Sequence, residues 1–526
     1  RIDDVLPWFT QNASIHFSAP HGLEQYGGAA WGVRDVTQGS IEWLLAAGEF
    51  TAARRVLERV FAQQYAGPTA QAEHVEGAWP QWFMFPPFHF IQQTHSHGDV
   101  CFWPVKALCD YVEATNDLDF LNELVGYTDA KTFTPTEPRE SLWAHCDRVL
   151  AHVESRLVPG TALVNYGDGD WDDTLQPADP TLRTRMVSAW TVGLAFHTFR
   201  QFAGVSRRAG QGSRAEKLEA LLARMRADFA AQLMPDGMVA GFLINEADGS
   251  KRPLLHPNDR ITNIRYRLLP MTRSVIAELF TPEEAKRHLE IVERELKFTD
   301  GVRLMSEPAV YRGGLEKLFK RAETAANVGR EIGLQYVHAH LRYAEAMAKI
   351  GDADRLWQAL QVVNPVGLDQ VVPRAVPRQS NVYFSSSDAD FADRIEAAAR
   401  WPELRAGRVP VRGGWRLYSS GPGLFLHKVR ACLLGVRESF GDVVFDPVLP
   451  RSLDGLAATT KLCGRAVRIV YSIRTASFSP QQVRVNGHPL SGTREPNPYR
   501  AGGLRVPLSR VSAQLTSESN LIEIDL

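Results

Sequence analysis

The sequence predicts a mainly α protein, an (α/α)6 barrel over residues 1–435 followed by a small antiparallel β domain over residues 436–526. Three observations lead there. Apolar residues recur with the 3.6-residue period of amphipathic helices through successive segments up to about residue 435. Long linkers rich in Pro, Gly and aromatic residues part them, notably 66–98, 157–181 and 364–385, and long ordered loops on a helical scaffold usually carry function. Beyond about residue 436 the apolar period drops to two. A chain of 526 residues exceeds one ordinary core, which suits a large barrel with an appendage.

Taken in order, the helical segments are 51–64, 99–115, 139–156, 183–204, 213–233, 281–296, 328–350 and 352–363. Thr281-Pro-Glu-Glu284 reads as a capping box with Pro at the first helical position. Asp117 and Asp352 read as N-caps before further amphipathic runs. Tyr418-Ser-Ser-Gly-Pro-Gly423 precedes an apolar helix, Leu424–Leu434. In the tail, Val467, Ile469 and Tyr471 alternate with polar residues, and Val483 and Val485 precede an Asn486-Gly487 hairpin turn.

Charge and composition narrow the function. The formal net charge is −1, from 59 basic and 60 acidic residues, which argues against nucleic acid or an anionic membrane as the main partner. Aromatics make up 10% of the chain; the 12 Trp exceed what a packed core needs, and sugar clefts are one use for the excess. Cys101, Cys109, Cys146, Cys432 and Cys463 are odd in number, widely spaced and without a CxxC pair. They read as reduced core thiols in a cytoplasmic protein. No apolar run approaches membrane-spanning length. The chain begins Arg1-Ile-Asp-Asp without Met, as a piece of something longer would.

The most informative stretch is Asn165-Tyr-Gly-Asp-Gly-Asp-Trp-Asp-Asp173, which sets four carboxylates around one tryptophan within six residues. Charges so close repel unless something uses them. A Trp between acids is an arrangement of sugar sites, the ring stacking on the pyranose while a carboxyl works on its oxygens. A solvated acidic loop is the bland alternative. A calcium loop is a third, but Asp173 stands where that loop requires Gly, and Asp179 where it requires Glu.

Other constellations are weaker alone. Gly22-Leu-Glu-Gln-Tyr-Gly-Gly-Ala-Ala-Trp-Gly-Val-Arg34-Asp35 ends in an Arg–Asp pair followed by Gln38, suited to gripping sugar hydroxyls or to a surface ion pair. In Thr94-His-Ser-His-Gly-Asp99, His95 and His97 are a poor zinc signal and better read as a polar loop lining a cleft. Glu331 and His338 lie seven apart, on one face of the helix expected over 328–350. The Ser420-Gly421 turn at a helix start offers N–H groups and a hydroxyl to a phosphate, but lacks the Gly-Lys-Ser/Thr element of a nucleotide loop.

Together these pieces resemble glycoside hydrolase family 94, the inverting β-glucoside phosphorylases, over nearly the whole chain. Asp170-Trp-Asp-Asp173 is similar to that family's Asp-Trp-Asn-Asp motif, which implies Asp173 as general acid with Trp171, Arg34, Asp35 and Glu331 around the sugar. Tyr336-Val-His338 and Ser420-Gly421 resemble the segments that contact phosphate in the family, implying His338, Ser420 and Gly421 for that role. Gly441–Pro450 resembles the entry to a C-terminal β domain. Gly22–Gly39 and Ser96–Pro104 are most similar to the 1,2-β-oligoglucan branch, with the cyclic β-1,2-glucan synthase domain next. Three departures stand out. Asp172 replaces Asn, Gly-Gly-Ala-Ala stands where most members carry arginines, and the family's N-terminal β-sandwich is absent.

The resemblance implies inverting phosphorolysis of β-1,2-linked gluco-oligosaccharides to α-glucose 1-phosphate. No metal or cofactor is expected; inorganic phosphate is a co-substrate, the partners are oligosaccharide and phosphate, and a homodimer would form through the absent N-terminal domain. An inverting hydrolase needs a base carboxylate as well as an acid, whereas phosphate is its own nucleophile. Alternatives are another phosphorylase of the family (cellobiose-type or cyclic glucan synthase domain), a hydrolase or lyase on the same barrel, and a non-catalytic glycan-binding fragment.

Overall fold

The computed structural model describes residues 1–18, 30–309, 317–320, 322, 333, 335–377, 386–413 and 421–526. Twelve helices organise the described part of the first 430 residues: α1 Ile2–Ser18, α2 Gly39–Ala47, α3 Phe50–Phe61, α4 Phe102–Thr115, α5 Leu142–Ser155, α6 Ala189–Arg208, α7 Gly212–Asp228, α8 Leu268–Ile276, α9 Pro282–Ile291, α10 Val337–Ile350, α11 Ala353–Val362 and α12 Gly421–Lys428. The even-numbered ones form a ring. α2 packs on α4, α4 on α6, α6 on α8, α8 on α10, α10 on α12, and α12 returns to α2.

Burial explains who stands inside. All nine residues of α8 are buried, as are ten in α4, so these helices are enclosed on every side. α3 instead buries one stripe, Ala53, Leu57, Val60 and Phe61, and turns Arg55 and Glu58 outward. Around the ring, α1 lies against α12 and α2, α3 against α2 and α4, α7 against α6, α9 against α8 and α11 against α10. Trp143 of α5 meets Phe202 of α6 at 5.7 Å between ring centroids.

The helix starts agree with the capping chemistry in places and depart in others. Thr281 and Glu284 form the expected capping box, and Asp352 caps α11. Asp117 caps only a short 3-10 turn, Leu118–Asn122. The expected helix 139–156 begins at Leu142, because Pro135–Ser141 pairs with Leu124–Thr128 as a strand. The expected helix 328–350 begins at Val337, because Gln335–Tyr336 pairs with Ser386–Ser387. His338 is therefore a first-turn residue, and the strand at Gln335–Tyr336 interrupts the expected helix before it; Glu331 lies outside the described residues. The helix expected over Leu424–Leu434 is described from Gly421 and gives way to a π turn at Val429–Leu433.

From Val436 onward the chain builds two sheets. One joins Val436–Ser439, Asp442–Phe445 and Leu504–Pro507; the other joins Ala457–Leu462, Arg465–Ser472, Leu521–Asp525 and Gln482–Val485. Pairing is antiparallel except that Arg465–Ser472 runs parallel to Leu521–Asp525. Asn486 (φ 49°) and Gly487 (φ 81°) supply the two positive φ angles of a tight hairpin. This β unit sits at the C-terminal ends of the inner helices. Phe440 N–H donates to the Glu113 carbonyl near the end of α4, and Arg500 Nε to the Ala348 carbonyl near the end of α10.

Candidate functional site

The described loops that precede the inner helices meet at the opposite end, so the N-termini of these helices face one region. Arg34 and Asp35 lie on the short turn Val33–Val36 before α2, Asp99 just before α4, the acidic cluster and Ser188 before α6, and Arg267 before α8. His338 opens α10 and Gly421 opens α12. Unsatisfied N–H groups and the helix dipoles favour anions at such an end.

Each carboxylate of the cluster has a cation nearby, and Asp170 and Asp172 share one. Asp168 pairs with Arg183 at 2.7 Å on the surface. Asp170 is fully buried; Arg267 Nη2 reaches both its oxygens, at 3.0 and 3.1 Å, and Ser188 Oγ donates to it at 2.7 Å. Asp172 is equally buried, caps the turn Asp173–Leu175 by accepting from Thr174 N–H, and lies 3.8 Å from Arg267. Burial works against the Arg267 charge, but the Asp170 and Asp172 carboxylates outweigh it and raise its pKa. Asp173 is part-exposed, at 24%, with Arg34 Nη2 donating to its Oδ1 at 2.6 Å.

Arg34 is aimed by a loop from the far side of the sequence. Its Nη1 donates to Asp99 Oδ1 at 3.1 Å and to the Asp170 carbonyl at 2.9 Å. Asp99 is buried and also accepts from Trp103 Nε1 at 2.9 Å; burial raises its pKa against the opposing pull of Arg34. His97 Nδ1 lies 2.9 Å from the Asp170 carbonyl and 3.4 Å from Asp173 Oδ1, while Gln176 Nε2 approaches its Nε2 at 3.1 Å. An Nδ1–H tautomer satisfies both the carbonyl and the Gln176 contact. The two loops are pressed together at Gly98: a Cβ there would stand 2.4 Å from the Tyr166 carbonyl oxygen, so only glycine permits the approach.

Trp171 closes one wall, its ring 5.0 Å from Tyr336 and 5.3 Å from His338 between centroids. His338 is buried, and burial with the nearby Arg342 charge holds its pKa well below the ordinary histidine value. It is therefore a neutral imidazole at pH 7. Below it, Arg342 donates to Glu42 Oε1 at 2.5 Å and Oε2 at 3.0 Å, and Lys428 joins Glu42 at 3.0 Å and Glu345 at 2.9 Å. Burial would raise the Glu42 pKa, but Arg342 and Lys428 overcome it and hold the group ionised. His340 is structural: Nδ1 accepts from Val302 N–H and Nε2 donates to the Ala359 carbonyl.

Of the residues expected from sequence, the structure gathers Arg34, Trp171, Asp173 and His338 around one site, with Gly421 at the start of the adjoining helix α12. Asp35 is half-buried, and among the described residues its carboxylate has no partner. Glu331, Ser420 and the part of the Gly22–Gly39 run up to Ala29 lie outside the described residues. Sequence reasoning missed Arg267 and gave His97 and Asp99 no specific role. Arg267 carries no local signature, since its partner is far away in sequence. The Ser96–Pro104 stretch was the available signal for the other two.

A family model described as "Glycosyl hydrolase 94 superfamily, catalytic domain" matches residues 25–385, and one described as "Glycoside phosphorylase C-terminal domain" matches residues 435–524. A 1,2-beta-oligoglucan phosphorylase of Listeria innocua is 44% identical over 98% of this chain and 46% of its own length. An N,N'-diacetylchitobiose phosphorylase of Vibrio proteolyticus is 21% identical over 90% of this chain and 56% of its own. The chain thus spans about half the length of these curated relatives. Among solved structures, a family 78 rhamnosidase of Bacillus sp. GL1 superposes with a TM-score of 0.48 at 12% identity, covering 88% of this chain and 40% of that one. Among the described residues no helix is long and apolar enough to cross a membrane.

Proposed function

This chain belongs to the glycosyl hydrolase 94 superfamily, and we propose that it carries out inverting phosphorolysis of β-1,2-linked gluco-oligosaccharides, releasing α-glucose 1-phosphate. The name and extent of the Listeria relative support the substrate class. The observation that carries the phosphate half is geometric. His338 stands in the first turn of α10 and Gly421 in the first described turn of α12; these helices pack on one another, and the N-terminal end of a helix dipole favours negative charge. A neutral His338 adds a ring donor there; Ser420, outside the described residues, is proposed for the same role from the sequence resemblance alone.

In this reading Asp173 protonates the glycosidic oxygen while phosphate attacks the anomeric carbon from the opposite face. Asp170 and Asp172 are committed to Arg267 and to the turn, so Asp173 is the carboxylate of the cluster that reaches the cleft. Arg34 favours the ionised form of Asp173 in the free protein. An arriving phosphate adds negative charge to the cleft, which favours the protonated acid that the reaction requires. Asp35, Trp171 and Glu331 hold the sugar. A hydrolase is the second reading, and one observation favours it: the unpartnered Asp35 carboxylate could serve as the base that activates water.

The closed ring of inner helices with its outer partners supports an (α/α)6 barrel over residues 1–435, with the β domain at 436–526. Five free thiols support a cytoplasmic setting. The test is product formation across the sophorose, laminaribiose and cellobiose series at fixed phosphate. A site built to pair sugar hydroxyls rejects the wrong isomer strongly, so β-1,2 substrates should dominate. Comparable rates on cellobiose would overturn the linkage while leaving the phosphorylase reading in place.

A further inference from the structure

Gln38 follows Arg34 and Asp35 by one helical turn and sits at the N-terminal end of α2. It is only 2% exposed, yet among the described residues neither its Oε1 nor its Nε2 has a hydrogen-bond partner. A buried, unpaired carboxamide is costly and rare. It lines a narrow recess shared with Trp171, His338, Thr272, Arg273 and Arg342. The Nε–H groups of Arg273 and Arg342 are also unpartnered there, although their outer nitrogens are engaged with His197 and Glu42. The floor of the recess has room for about one water-sized group.

The donor set selects the ligand chemistry. Gln38 offers one acceptor and a donor, and the two guanidinium edges offer further donors. An alcohol can give its one proton to the Gln38 carbonyl and accept from two of these donors, so it suits this mixed set. An ionised phosphate oxygen only accepts and would leave the Gln38 carbonyl without a donor. Trp171, the ring on which a pyranose would stack, lines the recess.

We propose that Gln38 is a specificity-determining residue, reading a single hydroxyl of the sugar held against Trp171, with the Arg273 and Arg342 edges completing the contact. This rests on the sugar site of the proposed function but not on its chemistry. The sugar hydroxyl supplies what Gln38 lacks in the free protein, so a donor without that hydroxyl leaves a buried amide unpaired and is rejected.

The experiment compares the protein with its Gln38→Met variant, which keeps length and packing while removing the amide. Phosphorolysis of sophorose should fall about tenfold or more in kcat/KM, with the KM for phosphate unchanged and the melting temperature equal or higher, because an unpaired buried polar group is gone. In the reverse direction, one monodeoxy α-glucose 1-phosphate should be poor with the parent protein and no worse than α-glucose 1-phosphate with the variant; that analogue names the hydroxyl. If the parent protein forms no sugar phosphate, the phosphorylase reading fails. Sophorose affinity by calorimetry then decides the Gln38 contact, expected to be about tenfold weaker in the variant. Unchanged kcat/KM and affinity would overturn the proposal. So would a lowered melting temperature with all analogues penalised alike, the signature of a packing residue.

Discussion

Asp172 and Asp173 are adjacent carboxylates with different fates, and the difference is set by what each one touches. Asp172 is buried and holds a turn, and an amide oxygen caps Thr174 N–H as well as a carboxylate oxygen does. Asp173 reaches the cleft and can lose a proton to a leaving group. Asp173→Asn should therefore lower phosphorolysis by about 10²–10⁴-fold with sugar binding largely kept, whereas Asp172→Asn should be mild. Steady-state rates and sophorose calorimetry on both variants check this, and the reverse order of effects would move the acid to Asp172. At this scale the sequence was legible where residues are neighbours. Four acids around Trp171 announced a site, but nothing local showed that Arg267 neutralises Asp170 or that Asp99 aims Arg34, because those pairings are made only when separate loops converge.

Helices were legible according to how they are buried. α3, α7, α9 and α11 each bury a stripe against the ring, so their polar faces leave the 3.6-residue signature. α2 and α8 are short, and nine residues in which buried polar side chains (Ser40 and Glu42; Thr272, Arg273 and Ser274) stand among apolar ones carry no such signature. The expected long helix through Glu331 and His338 failed for another reason: Gln335–Tyr336 is recruited into a strand, a tertiary pairing that local periodicity does not register. That correction sharpens the role of His338. Placed in the first turn of α10, it should contribute to phosphate rather than to the glucan. His338→Ala should raise the KM for phosphate by about tenfold, the value of a hydrogen bond to a charged group, with a much smaller change for sophorose. Equal changes for both substrates would make His338 a structural residue of the ring.

On the scale of the whole molecule, several imidazoles are sealed in the interior. His145, His288 and His340 are each almost fully buried, and burial lowers their pKa values to about 4. The unfolded chain takes up these protons near pH 6.5, while the folded protein refuses them until about pH 4. Their contribution to stability is thus complete above pH 6.5 and is lost as the pH falls, at about 1.4 kcal/mol per unit for each group. The melting temperature should decline steadily between pH 6.5 and 4.5, and a flat profile would show these histidines to be solvated. The change from helices to strands at Val436 was plain in the sequence, since inward Val467, Ile469 and Tyr471 alternate with outward residues. The parallel pairing of Arg465–Ser472 with Leu521–Asp525 was not, because alternation fixes which face is buried and leaves strand direction open. Phosphate as the nucleophile is the central claim for the molecule, and one measurement meets it directly: the protein is incubated with sophorose-type oligosaccharides with and without inorganic phosphate, and the products are resolved by anomer. Phosphate-dependent release of α-glucose 1-phosphate is the predicted result. Free glucose released equally well without phosphate would contradict it.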